Sequence, residues 1–201
     1  DLHSFPTRRS SDLDLITRNS AVETYTTSYN VNGGTSSAPA SQTSTKTTPY
    51  SFNGWHEGSA TGTNHAAGST WSPTAAKTLY AGWDTGTATS TSITLPAAPT
   101  RPGWTFNGWY TASSGGTKAG NAGASYTPTA TRTLYAQWTQ NNYSVYINPN
   151  SGAYNSTTST TTLSSKHYGD TISMAEPTRP GYIFLGWVKN GSGTLTNYTN
   201  A

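Results

Sequence analysis

Pro99-Thr100-Arg101-Pro102-Gly103-Trp104-Thr105-Phe106-Asn107-Gly108-Trp109 decides how this chain is read, because the chain contains it again. It returns as Pro177-Thr178-Arg179-Pro180-Gly181-Tyr182-Ile183-Phe184-Leu185-Gly186-Trp187 and, eroded, as Thr48-Pro49-Tyr50-Ser51-Phe52-Asn53-Gly54-Trp55. A second phrase follows two of the three, as Thr78-Leu79-Tyr80-Ala81-Gly82-Trp83 and Thr133-Leu134-Tyr135-Ala136-Gln137-Trp138. Repetition at a period of roughly 50–80 residues marks a string of similar small modules. Such strings serve reach or multivalent contact more often than a single reaction.

The repeated residues have physical reasons. Proline fixes φ near −65° at the first central position of a turn, and glycine supplies positive φ at the second, as a type II turn requires. The arginine before proline is pushed towards extended geometry. Arg101-Pro102-Gly103 and Arg179-Pro180-Gly181 therefore predict corners that lead into strands. Beyond the corner, a period of two puts Trp104, Phe106 and Gly108 on one face and Thr105, Asn107 and Trp109 on the other. Glycine weakens a strand interior, so Gly54, Gly108 and Gly186 predict a bulge or the close approach of another group. The same alternation groups Leu79, Ala81 and Trp83. The expected core of the modules is Trp55, Trp83, Phe106, Trp109, Trp138, Phe184 and Trp187.

Outward from these words, three modules emerge: residues 14–83, residues 84–138 and residues 139–201. The first opens with strand formers from Tyr25 to Val31 and the turn signal Asn32-Gly33-Gly34. The second starts at Ser92-Ile93-Thr94-Leu95-Pro96 and lacks the opening strand and turn. The third alternates over Tyr143-Ser144-Val145-Tyr146-Ile147 and turns at Asn148-Pro149-Asn150-Ser151-Gly152. It reaches Ala201 without the closing Leu-Tyr-x-x-Trp, so a fragment of a longer array is expected. Tyr25 and Tyr143 stand equally far before Gly34 and Gly152. No apolar i, i+3, i+4, i+7 stripe persists. The expected fold class is mainly β, with short strands in small modules and little helix.

Leu, Ile, Val and Phe together number 22 of 201 residues, below the roughly 20 % at which disorder becomes a concern. Two facts oppose disorder: the net charge is only +3, and aromatic residues reach 12 %. Each ring buries roughly 150–250 Å², so a few Trp and Tyr replace many aliphatic side chains. Cores this small stay thin, and modest stability per module is expected. The chain has no cysteine, which excludes disulfide staples and thiolate metal sites. That fits a bacterial surface protein or a cytosolic one. No apolar run nears the roughly 20 residues of a membrane span, and no signal peptide is visible.

His3-Ser4-Phe5-Pro6-Thr7-Arg8-Arg9-Ser10-Ser11-Asp12-Leu13 resembles the conceptual translation of a sequencing adapter, and residues 1–13 are set aside as an artefact; a natural basic arm is the alternative. Without Arg8, Arg9, Asp1 and Asp12 the net charge stays +3 and no dense basic cluster remains, so no nucleic-acid partner is expected.

Taken together, the order Asn-Gly-Gly, Pro-Thr-Arg-Pro-Gly-aromatic-x-Phe-x-Gly-Trp-Tyr, Gly115-Gly116 and Thr-Leu-Tyr-Ala-x-Trp resembles the Listeria–Bacteroides repeat, the B-repeat of internalin-type and other bacterial surface proteins. The likeness runs from near Tyr25 to near Tyr198. It implies tandem β-grasp-like modules on a secreted or wall-attached protein, hence a place outside the cell, in the envelope or wall. The departures are Thr47-Thr48-Pro49 in place of the Arg-Pro-Gly corner, the absent first hairpin of the second module, and Val188 where Tyr110 stands.

Chemistry finds little footing. His56 and His65 lie nine apart in a Gly-rich stretch without metal-ligand spacing, and no metal or cofactor is expected. A glycosidase needs two carboxylates flanking a cleft; Glu57 and Asp84 follow no such pattern. No Gly-x-Ser-x-Gly elbow is present, and the chain is not expected to be an enzyme. Leu95-Pro96-Ala97-Ala98-Pro99 lacks the Thr-Gly of a sortase signal and reads as a connector. The expected role is a spacer or adhesion stalk, monomeric, with weak contacts to host or wall glycans or to surface proteins. The alternative is carbohydrate binding through exposed aromatics, for which Trp71, Trp104 and Tyr126 are the candidate ligand contacts.

Overall fold

The computed structural model describes residues 20–189. The adapter-like segment, the first residues of the first module and the end of the third lie outside them. The protein is mainly β, with no α-helix among the described residues. The described residues divide into two compact units: residues 20–32, 38–98 and 108–136, and residues 33–37, 99–107 and 137–189.

In the first unit, β1 (Ser20–Asn30) and the long β2 (Gln42–Glu57) pair antiparallel from Ser20↔Pro49 to Thr27↔Gln42. The second half of β2 pairs on one side with β3 (Asn64–His65) and on the other with β4 (Leu79–Thr85). The chain rejoins the first half of β2 through β5 (Thr89–Ser90), with Lys46↔Ser90 and Thr47↔Thr89. Residues 50–85 are thus an excursion of the chain. β6 (Ile93–Thr94) pairs with β9 (Ser125–Tyr126). The sheet is completed by β7 (Trp104–Tyr110), β8 (Lys118–Gly120) and β10 (Arg132–Gln140), in the order β3-β2-β1-β10-β7-β8.

One pairing departs from the order of the sequence repeats. β1 joins β10 in parallel, Thr27↔Arg132 through Asn30↔Tyr135, and not β4. The opening strand that the second copy lacks in sequence is supplied by the opening strand of the first. Pro49 marks the point of departure. Without the Arg-Pro-Gly corner β2 runs straight on, and its residues from Tyr50 pair with β4.

The core forms around this crossover. Trp109, Leu134 and Ala136 are fully buried, with Leu95, Ile93 and Tyr29 beside them in burial. Tyr29 meets Trp109 edge to face, with centroids 5.1 Å apart, and the indole Nε1–H of Trp109 donates to the Pro96 carbonyl at 3.1 Å. The Leu95–Pro96 connector therefore serves the core directly. Thr27 is fully buried, and its Oγ1 has no hydrogen-bond partner. A buried hydroxyl left unpaired costs about 1–3 kcal/mol. Thr27→Val keeps the branched shape and should raise stability by about 1 kcal/mol, measurable as a shifted urea midpoint at unchanged slope.

In the second unit, β11 (Tyr143–Ile147) pairs antiparallel with β12 (Thr161–Lys166). Two copies of one corner lie here. Trp104 N–H donates to Arg101 O at 3.0 Å and Tyr182 N–H to Arg179 O at 3.1 Å, with Gly103 at φ +77° and Gly181 at φ +76°. These are the turns that Pro-Gly predicts. Thr35 N–H donates to Thr100 O at 2.8 Å, as Ala153 N–H does to Thr178 O at 2.7 Å. The arginine guanidinium lies over the following ring in both, Arg101 3.8 Å from Trp104 and Arg179 3.9 Å from Tyr182. The Thr-Arg-Pro-Gly phrase is therefore a clasp: its threonine bonds the Asn-x-Gly turn and its arginine covers its own aromatic neighbour.

Candidate functional site

The sequence places Trp55, Trp109 and Trp187 in one equivalent core position, and their surroundings in the fold differ. Trp109 is fully buried beneath Tyr29. Trp187 is half-buried, with Tyr154 at 5.8 Å and Phe184 at 5.3 Å, both edge to face. Trp55 is 45 % exposed and Trp83 is 55 % exposed. The expected burial of Trp55 and Trp83 is corrected here. The cause is the crossover: β1 joins the second copy, and among the described residues no other opening strand covers the excursion carrying Trp55 and Trp83. Phe106 and Trp138 are half-buried and pack edge to face at 5.5 Å.

The open rings form a connected surface. Phe52 is half-buried and packs edge to face with Trp55 at 5.4 Å and with Trp83 at 5.7 Å. Tyr80, 44 % exposed, lies on the same strand three residues before Trp83, and the period of two puts it on the opposite face. On the opposite face of β4, with Tyr80, runs a polar chain: Asn53 Nδ2–H donates to Asp84 Oδ1 at 2.7 Å, and His56 places Nε2 3.1 Å from Asn53 Oδ1 and Nδ1 3.0 Å from the Gly62 carbonyl. Exposed indole rings suit a ligand with apolar C–H faces. The eroded corner at Thr47-Thr48-Pro49 was the sequence signal that this copy would be uncovered.

The three contacts nominated from sequence each have their own local partner. Trp71 is half-buried and lies 4.6 Å from the His65 ring. Trp104 is half-buried with one face under Arg101. Tyr126 is half-buried in β9, opposite Ile93. Trp71 and Trp104 are thus each half-buried against a local partner, whereas Trp55 and Trp83 are exposed.

Glu57 is the best-connected carboxylate near the excursion, accepting from His65 Nε2 at 2.8 Å and from Lys77 Nζ at 3.0 Å. The Lys77 hydrogen bond first, then that of His65, hold its carboxyl below the ordinary carboxylate range. A depressed pKa contributes stability that is present above the unfolded value, about 4.3, and lost as pH falls through the lower folded one. Acidification below about pH 4 should release Lys77 and His65 and change the emission of Trp71, which rests on His65; Glu57→Gln should remove that transition. Among the described residues no three His, Asp or Glu side chains gather as a metal site, and no helix is long and apolar enough to cross a membrane.

The repeated clasp and the Gly-Trp words find their match in known proteins. The family pattern of the Listeria-Bacteroides repeat domain matches residues 25–82, 84–137 and 143–201, most of the chain. The chain belongs to the Listeria-Bacteroides repeat family. Among individual proteins, it is similar to Internalin H of Listeria monocytogenes serovar 1/2a, with 37 % identity over 92 residues. That alignment takes in 46 % of this chain and 15 % of the internalin, so the chain spans a small part of the length of the relative it matches. No solved structure matches it. Within the repeat family's pattern, residues 25–82 count as one copy, whereas the hydrogen bonding of this member hands their opening strand to the next copy.

Proposed function

We propose that this chain is a non-enzymatic repeat region of a bacterial surface or secreted protein, acting as a spacer and adhesion stalk through weak contacts summed over copies. The observation that carries this reading is the reuse of one clasp in different copies, from the Thr35–Thr100 and Ala153–Thr178 bonds to the Arg101–Trp104 and Arg179–Tyr182 stacks. The repeated residues are spent on turns, ring stacks and main-chain contacts that hold the fold, and none of the histidines or acids recurs with them. Kinship with an internalin supports the surface setting. Weak sites in tandem gain apparent affinity by roughly 10²–10⁴ when they engage together. Concatemers of one, two and four copies of the chain should bind host cells or purified wall polysaccharide with steeply rising retention. Retention independent of copy number would refute the multivalent reading.

A second reading, carbohydrate binding, is favoured by the open rings of Trp55 and Trp83. A glycan array should then yield a sugar that quenches tryptophan emission. Binding should fall about tenfold or more in Trp55→Ala or Trp83→Ala, since a buried stacking contact is worth about 1–2 kcal/mol. The candidates nominated from sequence are tested alongside: loss confined to Trp71→Ala, Trp104→Ala or Tyr126→Ala would move the site to them.

A further inference from the structure

The eroded copy departs from the second at three places that meet in space. His56 stands where Tyr110 does, Gly82 where Gln137 does and Asp84 where Thr139 does. Asn53 and His56 of β2 meet the face of β4 that carries Tyr80, Gly82 and Asp84. A Cβ at Gly82 would collide with His56 Nε2 and with Asn53 Oδ1. The missing side chain makes room for the imidazole.

In the second copy the matching asparagine closes on a hydroxyl. Asn107 Nδ2–H donates to Thr139 Oγ1 at 2.9 Å, and that hydroxyl donates back to Asn107 Oδ1 at 3.1 Å. A carboxylate only accepts. Asp84 therefore takes the Asn53 Nδ2–H at 2.7 Å and leaves Asn53 Oδ1 to another donor. That oxygen faces His56 Nε2 at 3.1 Å, while the Gly62 carbonyl faces Nδ1 at 3.0 Å. Both ring nitrogens thus face acceptors. A neutral imidazole has one N–H, and an imidazolium has two. Turning the amide over does not serve the neutral ring, because Asn53 Oδ1 would then face the Asp84 carboxylate. His56 is only 9 % exposed, which leaves little water to stand in for a missing donor.

We infer that residues 50–85 hold a pH-sensitive lock: His56 with both nitrogens protonated ties the Gly62 turn to the Asn53–Asp84 pair, and its neutral form lets the turn go. Histidine is the side chain whose charge ordinarily changes between about pH 5 and pH 8. The fold satisfies the charged form, so the contribution is present on the acid side of that range and lost as pH rises through it. Around the ring, β4 and β3 set Tyr80 and Asn64 opposite His56, and the turn 58–63 carries no charge. Glu57 and His65 lie on the other face, with Lys77 bonded to Glu57. The turn is closed by Glu57 N–H to Thr63 O at 3.0 Å and Gly62 N–H to Ser59 O at 3.1 Å. It leads into β3, whose His65 seats Trp71. The inference goes beyond the proposed function and does not rest on it.

Hydrogen exchange of the full chain, corrected for intrinsic rates, tests the lock. The Glu57 and Gly62 amides should be protected about tenfold less at about pH 8 than at about pH 5.5, with the amides of β1 unchanged. Asp84→Asn should abolish the difference and keep the higher protection at both values. Position 84 could then donate to Asn53 Oδ1, leaving Asn53 Nδ2–H to turn towards a neutral His56. Ring-nitrogen resonances of that variant at about pH 8 should show His56 protonated on Nδ1 alone. His65→Gln should keep the difference. Equal protection at both pH values in the unmodified chain overturns the inference. So does a difference that survives Asp84→Asn, or one that disappears in His65→Gln and so belongs to the Glu57 cluster. Low protection at both values in Asp84→Asn would mean that Asp84 acts through its charge alone, and overturns it too.

Discussion

Trp109→Ala will cost the fold about 3–5 kcal/mol, whereas Trp55→Ala, at the equivalent place in the repeated phrase, will cost less than about 1 kcal/mol. Trp109 is fully buried, packs against Tyr29 and bonds Pro96 through its indole N–H. Its removal leaves a cavity, an unpaired carbonyl and an edge-to-face contact without one partner. With thin cores and total stability of the order of 5–15 kcal/mol, the variant should lose most of its cooperative unfolding transition. Trp55 is 45 % exposed and gives up its edge-to-face contact with Phe52. Urea unfolding followed by far-UV circular dichroism separates the two. Equal losses would mean that the second copy is no better closed than the excursion.

Gly108→Ala carries the next largest expected effect, a loss of about 2–3 kcal/mol. Gly108 sits at φ +134°, as Gly54 does at +138° and Gly186 at +135°. An added Cβ would come within 2.8 Å of the Gly120 carbonyl oxygen at Gly108 and within 2.7 Å of the His65 carbonyl oxygen at Gly54. Both neighbours are backbone of a paired strand, so neither swings aside. The loss should be borne by the ladder β7–β8, and hydrogen exchange of Lys118 to Gly120 should quicken before global unfolding does. A substitution tolerated without change in those amides would remove the steric account.

Much of this was legible in the sequence because it is local. Pro-Gly fixes two dihedral angles whatever the rest of the chain does, so the corners at Pro102 and Pro180 follow from the residues alone. The glycine before each tryptophan announced its close approach, and the register shift between Phe52 and Gly54 is the bulge it implied. Partner choice was not legible. Leu79-Tyr80-Ala81 and Leu134-Tyr135-Ala136 are the same word, and no single residue tells β1 which to join. The decision rests on long-range packing, where Tyr29, Leu95 and Trp109 close a core with β10. Trp55 and Trp83 were therefore assigned to a core that their copy does not close. The exposed aromatic surface followed from that missing strand, and composition could not place it.

The parallel contact of β1 with β10 joins residues 105 positions apart, as between Thr26 and Thr131, and so has a consequence in time. A ribosome delivers β4 well before β10, and both carry the phrase that β1 recognises. Contacts of large sequence separation form slowly, so the nascent opening strand meets the wrong copy of its partner first. Folding of this chain includes a contest between two nearly identical docking edges. It is decided only when Leu95 and Trp109 have emerged to make the later edge the more favourable one.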